Sequence, residues 1–343
     1  MSLEILWLAL LGLLLAGYFV LGGYDYGVQM LHPFLGGRSN RAKGAKRASR
    51  NAALDAIAPF FLGNEVWLVT FTGVLFGAFP HLEGSLLSGL YPLIVAILVG
   101  LVLGNAAIQL RGRADSALGR RWWDALIVFG GALPAVCWGL VLGLLLHGLP
   151  RRADGSFHIG VGEVLTPFVV ACGLTTALLF AAHGAAFAAL RSSPEVAFRA
   201  RHLGIGLLRA AGAMGCLPLL LTLFGAGAAM TNRATSAALA ALLAAALGSA
   251  WWSLTRGHHV RAFAATCCAT VLPVALVGAG HYPYVLIDAA GGGMTIGHAV
   301  TDGVTLKILT VFGVVLIPVI LAYQSWSWWA FRGRTGERHP SYF

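Results

Sequence analysis

The chain has 343 residues, of which 58% are hydrophobic and only 10% charged, with a mean hydropathy of +0.79. That balance excludes an ordinary soluble domain and leaves a polytopic membrane protein. The net charge of +10 does not call for nucleic acid, because the basic residues flank apolar stretches and form no domain of their own.

A bilayer-crossing helix needs about 20 mostly apolar residues. Nine such windows run from Leu3 to Leu31, Ala53 to Phe79, Leu86 to Leu110, Trp122 to His147, Val161 to Leu190, Leu207 to Ala229, Thr235 to Leu254, Val260 to Gly280 and Gly303 to Phe331. They form one integral membrane domain over 1–343. Lys and Arg gather on the cytoplasmic side of membrane proteins. Of the 23 in this chain, 19 fall in or beside alternate connections and the C-terminal tail. This places the N-terminus outside and the C-terminus in the cytoplasm. The first connection alone holds Arg38, Arg41, Lys43, Lys46, Arg47 and Arg50, a topology signal that also suits anionic lipid.

The first window carries no cleavable signal pattern and should remain a helix. Near its inner end, Gly22 to Gly27 combine glycines for close helix contact with Asp25, set between Tyr24 and Tyr26. Asp25 is either a partly wet interfacial acid or a functional one. In the second window, Pro59 precedes Gly63-Asn64-Glu65-Val66-Trp67. A carboxylate at membrane depth costs about 3 kcal/mol, so Glu65 should face the bundle interior, as a packing acid or with a proton or cofactor role. Counted from Ala53 it lies about 18 Å along the helix, near mid-membrane.

Pro80 to Ser85 are expected as a short outer turn, and Trp122, Trp123 and Asp124 as an interfacial anchor. His183 sits among alanines and Gly184. Three roles are open to it: haem ligation, proton carriage or a hydrogen bond to a neighbouring helix. The sixth to eighth windows hold no acid, and Pro218 and Pro273 are expected to kink them. His281, Asp288, His298 and Asp302 lack regular metal-ligand spacing. The five cysteines lie within windows without metal-type spacing, so no metal site is expected and packing is their role. No phosphate loop, dinucleotide fingerprint or nucleophile elbow occurs. A secondary transporter would show paired broken helices around a midplane site, and no such pairing stands out.

Taken in order, a set of motifs resembles a known family. They are Gly-Tyr-Asp-Tyr-Gly (23–27), Met30-Leu31, Pro33-Phe34-Leu35-Gly36, Ile57-Ala58-Pro59 and Gly63 to Trp67. They continue with Phe76-x-Ala78-Phe79-Pro80, Ser88-Gly89-Leu90-Tyr91, Arg111-Gly112, Trp123-Asp124, Gly148-x-Pro150, His183-Gly184-Ala185, Tyr282-Pro283-Tyr284 and the run from Leu316 to Tyr323. Together they resemble subunit II of the cytochrome bd quinol oxidases, over nearly the whole chain. The resemblance implies nine helices arranged as two four-helix bundles plus one peripheral helix, in a prokaryotic cytoplasmic membrane. It implies a haem-bearing partner, subunit I, that holds haem b and haem d, while this chain ligates none. It also implies a small single-helix subunit, membrane quinol and a bound structural quinone as further partners and ligands. The complex would oxidise quinol, reduce oxygen to water and build a proton-motive force. The chain is then not catalytic alone. Its polar core candidates are Asp25, Glu65, Asn64, Tyr24 and His183, and its motif packing residues are Gly63, Trp67, Pro59, Trp123 and Asp124.

The chain departs from that pattern by the loss of four charged positions. Phe61-Leu62 replaces the family's Trp-Asp, Gly22 stands where an acid is common, Gly104 where Arg is common, and Gln109 where an acid is common. Joint loss is expected of a linked network, since a single removal strands a buried charge at about 3–5 kcal/mol. Asp25 and Glu65 are left as the strong candidates for proton handling. The alternative is a subunit that only scaffolds its partner.

Overall fold

The computed structural model describes residues 2–35, 53–113, 116–151, 156–288 and 292–333. The basic cluster from Arg38 to Arg50, together with Gly36, Arg152, Arg334 and Arg338, lies outside them. Among the described residues, nine helices are long and apolar enough to cross a membrane. They are α1 (Leu3–Leu35), α2 (Phe61–Ala78), α3 (Tyr91–Leu110), α4 (Ala117–His147), α5 (Pro167–Arg191), α6 (Pro194–Leu223), α7 (Arg233–Thr255), α8 (His259–His281) and α9 (Gly303–Ala330). Lipid offers no partner to a peptide group, so each span satisfies its backbone internally as a helix.

Helices α1 and α5 form the centre. α1 packs on α2, α4, α5 and α8, and α5 packs also on α4, α6 and α8. α3 pairs with α4, α7 with α6 and α8, while α9 touches α2. Glycine sets the close approaches. A Cβ on Gly27 of α1 would lie 2.8 Å from the Gly184 Cα of α5, and one on Gly104 of α3 would lie 3.0 Å from the Gly130 Cα of α4. Neither backbone can give way, so the absence of a side chain is what permits these contacts. Outward faces are apolar: Val69 and Phe76 on α2, Val102 on α3, and Val304, Val311, Phe312, Val315 and Val319 on α9 are exposed. In water such a surface would aggregate; for a membrane helix it is the face that meets lipid or another chain.

Several boundaries differ from expectation. The second span does not run as one helix from Ala53. Residues 53–55 make a helical turn, residues 56–60 continue as turns, and α2 begins only at Phe61. Pro59 has no N–H to donate and disfavours helical geometry at Ala58. The Ile57 carbonyl instead takes the Phe60 and Phe61 amides at 2.9 and 3.0 Å. Glu65 is therefore the fifth residue of its helix, and a depth counted from Ala53 does not apply.

The expected turn at Pro80 is the start of a helix, Pro80–Gly89, with proline in its first turn where a missing N–H costs nothing. The third span consequently starts at Tyr91, not Leu86. A short helix, Val161–Val164, is separated from α5, which starts at Pro167. α6 begins at Pro194 rather than Leu207 and carries Arg199, Arg201 and Arg209; charge marks where a helix leaves lipid and does not end the helix. Between α8 and α9 a hairpin pairs β1 (Tyr284–Ile287) with β2 (Gly293–Thr295), in antiparallel register Leu286 to Met294 and Ile287 to Gly293. Asp302 caps α9 by accepting from the Val304 and Thr305 amides at 2.9 and 3.0 Å and from the Thr305 hydroxyl at 2.6 Å. The Thr305 hydroxyl, then the capping amides, hold its carboxyl below the usual range.

Candidate functional site: a carboxylate and carboxamide cluster between α1, α2 and α3

Residues 18, 22, 25 and 29 follow the helical repeat, so Tyr18, Gly22, Asp25 and Gln29 share one face of α1. That face looks onto the start of α2. The turns at residues 56–60 deliver Asn64 and Glu65 there.

Asn64 is the hub. It is fully buried, and its amide nitrogen donates to the Tyr24 hydroxyl at 2.7 Å and to Asp25 Oδ2 at 2.8 Å. Its carbonyl oxygen accepts from Gln324 Nε2 of α9 at 3.2 Å. One side chain thus ties α1, α2 and α9 together. Beside it, Asn105 Nδ2 of α3 donates to Glu65 Oε1. Tyr18 and Tyr26 join hydroxyl to hydroxyl within α1. Asp25 and Glu65 both line a water-sized gap that is also bordered by Tyr18, Gln29, Asn64 and Asn105.

Asp25 is buried, with 5% of its surface exposed. The structure does not set it between two tyrosine hydroxyls: Tyr24 reaches Asn64 and Tyr26 reaches Tyr18. Successive residues on a helix diverge by about 100°, so neighbours in sequence point apart. Glu65 is half-buried, at the edge of the cluster toward the exposed Leu62 and Val66.

His183 lies outside this hydrogen-bonded cluster. Its Nδ1 is 2.8 Å from the Thr266 hydroxyl of α8 and its Nε2 is 2.9 Å from the Val20 carbonyl of α1. Its ring also stacks on Phe263, with centroids 5.1 Å apart. A carbonyl only accepts, so Nε2 carries the hydrogen and Nδ1 faces the hydroxyl. Both nitrogens are engaged, so His183 does not fit as an axial haem ligand. It stitches α5 to α1 and α8. Among the described residues no group of three His, Cys, Asp or Glu side chains converges as a metal site.

The motif residues have distinct tasks. The Trp67 ring covers Gly17 of α1, and Pro59 makes the break before α2. A Cβ on Gly63 would be 3.8 Å from the Tyr323 ring, an ordinary contact, so packing does not require glycine there. Trp122 is exposed, as an interfacial ring would be, and Trp123 is partly buried against the core. Asp124 does more than mark the interface. Its Oδ1 takes the Arg111 Nε at 2.6 Å and lies 3.0 Å from His32 Nε2, joining the ends of α1 and α3 to α4.

Gln29, Asn105 and Gln324 were not singled out in the sequence. Their one visible signal is that each is an amide inside an apolar helix. The departure at Gly104 also has a structural counterpart: a Cβ there would meet Gln29 Oε1 at 2.6 Å. Gln29 and α4 occupy the ground that a long side chain at 104 would need.

These features define a multi-pass α-helical membrane protein with two acids held in an amide-lined cluster among its first three spans. The family model described as cytochrome bd terminal oxidase subunit II matches residues 3–331. Cytochrome bd ubiquinol oxidase subunit 2 of Bacillus subtilis is 28% identical over 99% of this chain and 98% of its own length. Cytochrome bd-I ubiquinol oxidase subunit 2 of Escherichia coli is 26% identical, over 97% and 95% respectively. A chain in the structure of bd oxidase from Geobacillus thermodenitrificans shares the fold, with a TM-score of 0.70 and 18% identity over 96% of this chain and 99% of that one. The chain belongs to the cytochrome bd terminal oxidase subunit II family. It is a multi-pass protein of the prokaryotic cytoplasmic membrane and a subunit of an oxidoreductase complex that includes a subunit I and haem.

Proposed function

We propose that this chain supports a haem-bearing subunit I in a quinol oxidase and supplies a proton route from Asp25 toward Glu65. The complex would pass quinol electrons to oxygen, and the protons consumed at the oxygen site would come from the cytoplasm, so that turnover builds a proton-motive force. The observation that carries the route is that both acids line one gap, with Asn64 and Asn105 each bonded to one of them. Asn64 fixes one oxygen of Asp25, and Asn105 holds Glu65 at the edge nearest the exposed face of α2. A proton leaving Asp25 has Glu65 as the next carboxylate, and the outward position of Glu65 suits transfer to a neighbouring chain.

The split of Lys and Arg supports an outer N-terminus and a cytoplasmic C-terminus. Packing of α1 to α4 and of α5 to α8 among themselves, with α9 against α2, supports two four-helix bundles and a peripheral helix. Haem ligation is assigned to subunit I, and the engaged nitrogens of His183 support that assignment. A bound quinone and a small third subunit belong to the same reading.

A purely scaffolding subunit is the second reading. Gly22, Leu62, Gly104 and Gln109 favour it, since they replace the charged groups common in the family with neutral ones. Purification through a tag on this chain tests the complex. Haem d absorbance that co-elutes with a second large polypeptide is expected, and a stable, haem-free chain isolated alone contradicts it. The pair Asp25→Asn and Glu65→Gln separates the two readings: slowed oxygen consumption supports the route, and unchanged rates with intact assembly support the scaffold.

A further inference from the structure

Asp25 Oδ1 and Gln29 Oε1 are buried acceptors, in residues 5% and 2% exposed, with no hydrogen-bond partner among the described residues. Both residues line the gap between α1, α2 and α3. They stand one helical turn apart, so their side chains rise on the same side of α1. An acceptor shut away from a donor is costly, and native proteins rarely leave one so. Two acceptors beside a space of water size match the two hydrogens of one water.

We infer that a single water is held in this gap, donating one hydrogen to Asp25 Oδ1 and the other to Gln29 Oε1, and that it relays protons between Asp25 and Glu65. Asn64 occupies the other Asp25 oxygen at 2.8 Å and so leaves Oδ1 for the water. In the relay Asp25 takes up its proton on Oδ1 and passes it to the water oxygen, while the water hydrogen that had faced Oδ1 turns to the Glu65 carboxylate and leaves there. One O–H bond is broken and one made at each step, and the water is restored. Gly104 belongs to the site, since a side chain there would collide with Gln29 Oε1 and push the amide into the gap. The relay role rests on the proton route proposed above, whereas the water's presence does not.

The test uses the whole complex. A cryo-electron microscopy map that resolves waters is compared between the wild type and Gln29→Leu, and proton uptake during oxygen consumption is measured for both and for Glu65→Gln. Density within hydrogen-bond reach of both oxygens is expected, lost in Gln29→Leu, with uptake slowed as much as in Glu65→Gln. Gln29→Met keeps the length of the side chain without the amide and, read at wild-type haem content and elution, should lose the density and slow uptake as the leucine variant does, which guards against a folding defect. Absent density overturns the site, as does density seen in sodium chloride and lost in choline chloride, which would identify a cation. Density with unslowed uptake in Gln29→Leu overturns the relay where Glu65→Gln is slow. If Glu65→Gln is also unslowed, the route itself fails.

Discussion

Replacing Asn64 with Leu removes the three short hydrogen bonds of its side chain at once, besides a long 3.5 Å donation to the Leu21 carbonyl: the donations to Tyr24 and Asp25 and the acceptance from Gln324, at 2.7, 2.8 and 3.2 Å. Leucine is of similar size, so the loss is one of polarity and not of volume. In a water-soluble core, stranding a buried partner costs about 1–3 kcal/mol for each group. In a membrane protein the unfolded chain also finds polar partners, and measured inter-helical hydrogen bonds average about 0.6 kcal/mol. Three bonds then give about 2 kcal/mol, and the membrane figure governs because α1, α2 and α9 all span. Denaturation of the complex in a graded series of SDS mixed with mild detergent measures it. A cycle with Tyr24→Phe should return a coupling of about 0.6 kcal/mol. A loss within about 0.5 kcal/mol of zero, the range of an ordinary surface change, would refute the hub role of Asn64.

Further predictions follow from packing, capping and the histidine. Gly27→Leu should abolish assembly of the complex, seen as lost monodisperse elution, because its Cβ would press on the Gly184 backbone. Gly12→Ala and Gly73→Ala, which meet nothing within 4 Å, should leave elution unchanged and raise stability by up to about 1 kcal/mol. His183→Leu should lower the melting temperature through loss of the Thr266 and Val20 contacts and leave the haem absorbance per complex unchanged. Asp302 has a lowered carboxyl, so its cap contributes fully above the unfolded-state value of about 3.9 and fades as pH falls through the lower folded value. Protection of the Val304 and Thr305 amides from hydrogen exchange, taken relative to the intrinsic rate at each pH, should fall over that acidic window in the wild type, and be low with little pH dependence in Asp302→Ala.

The number of spans was legible because lipid imposes one length and one composition on every crossing helix. Their ends were less so. Pro59 breaks the second span at a place where hydropathy alone continues, and Pro80 starts a helix where a turn was expected. The acids Asp25 and Glu65 stood out in the sequence because each is rare at membrane depth. Their partners did not, since the Gln324 to Asn64 bond joins residues 260 positions apart and the Asn105 to Glu65 bond joins α3 to α2. Nothing local to Ala182, His183 and Gly184 announces Thr266 as the group facing the imidazole. Distances along a chain carry the periodicity of a face, whereas the choice of which face meets which is made by packing, here by Gly27 on Gly184 and Gly104 on Gly130.

The most direct test of the account is oxygen-driven proton uptake by the complex in liposomes, with Glu65→Gln against the wild type at equal haem content. Glutamine keeps the shape and can still pair with Asn105 but cannot carry a proton, so uptake is predicted to slow while assembly and spectrum persist. Wild-type rates in that variant would contradict the proton route and leave Glu65 as a packing residue.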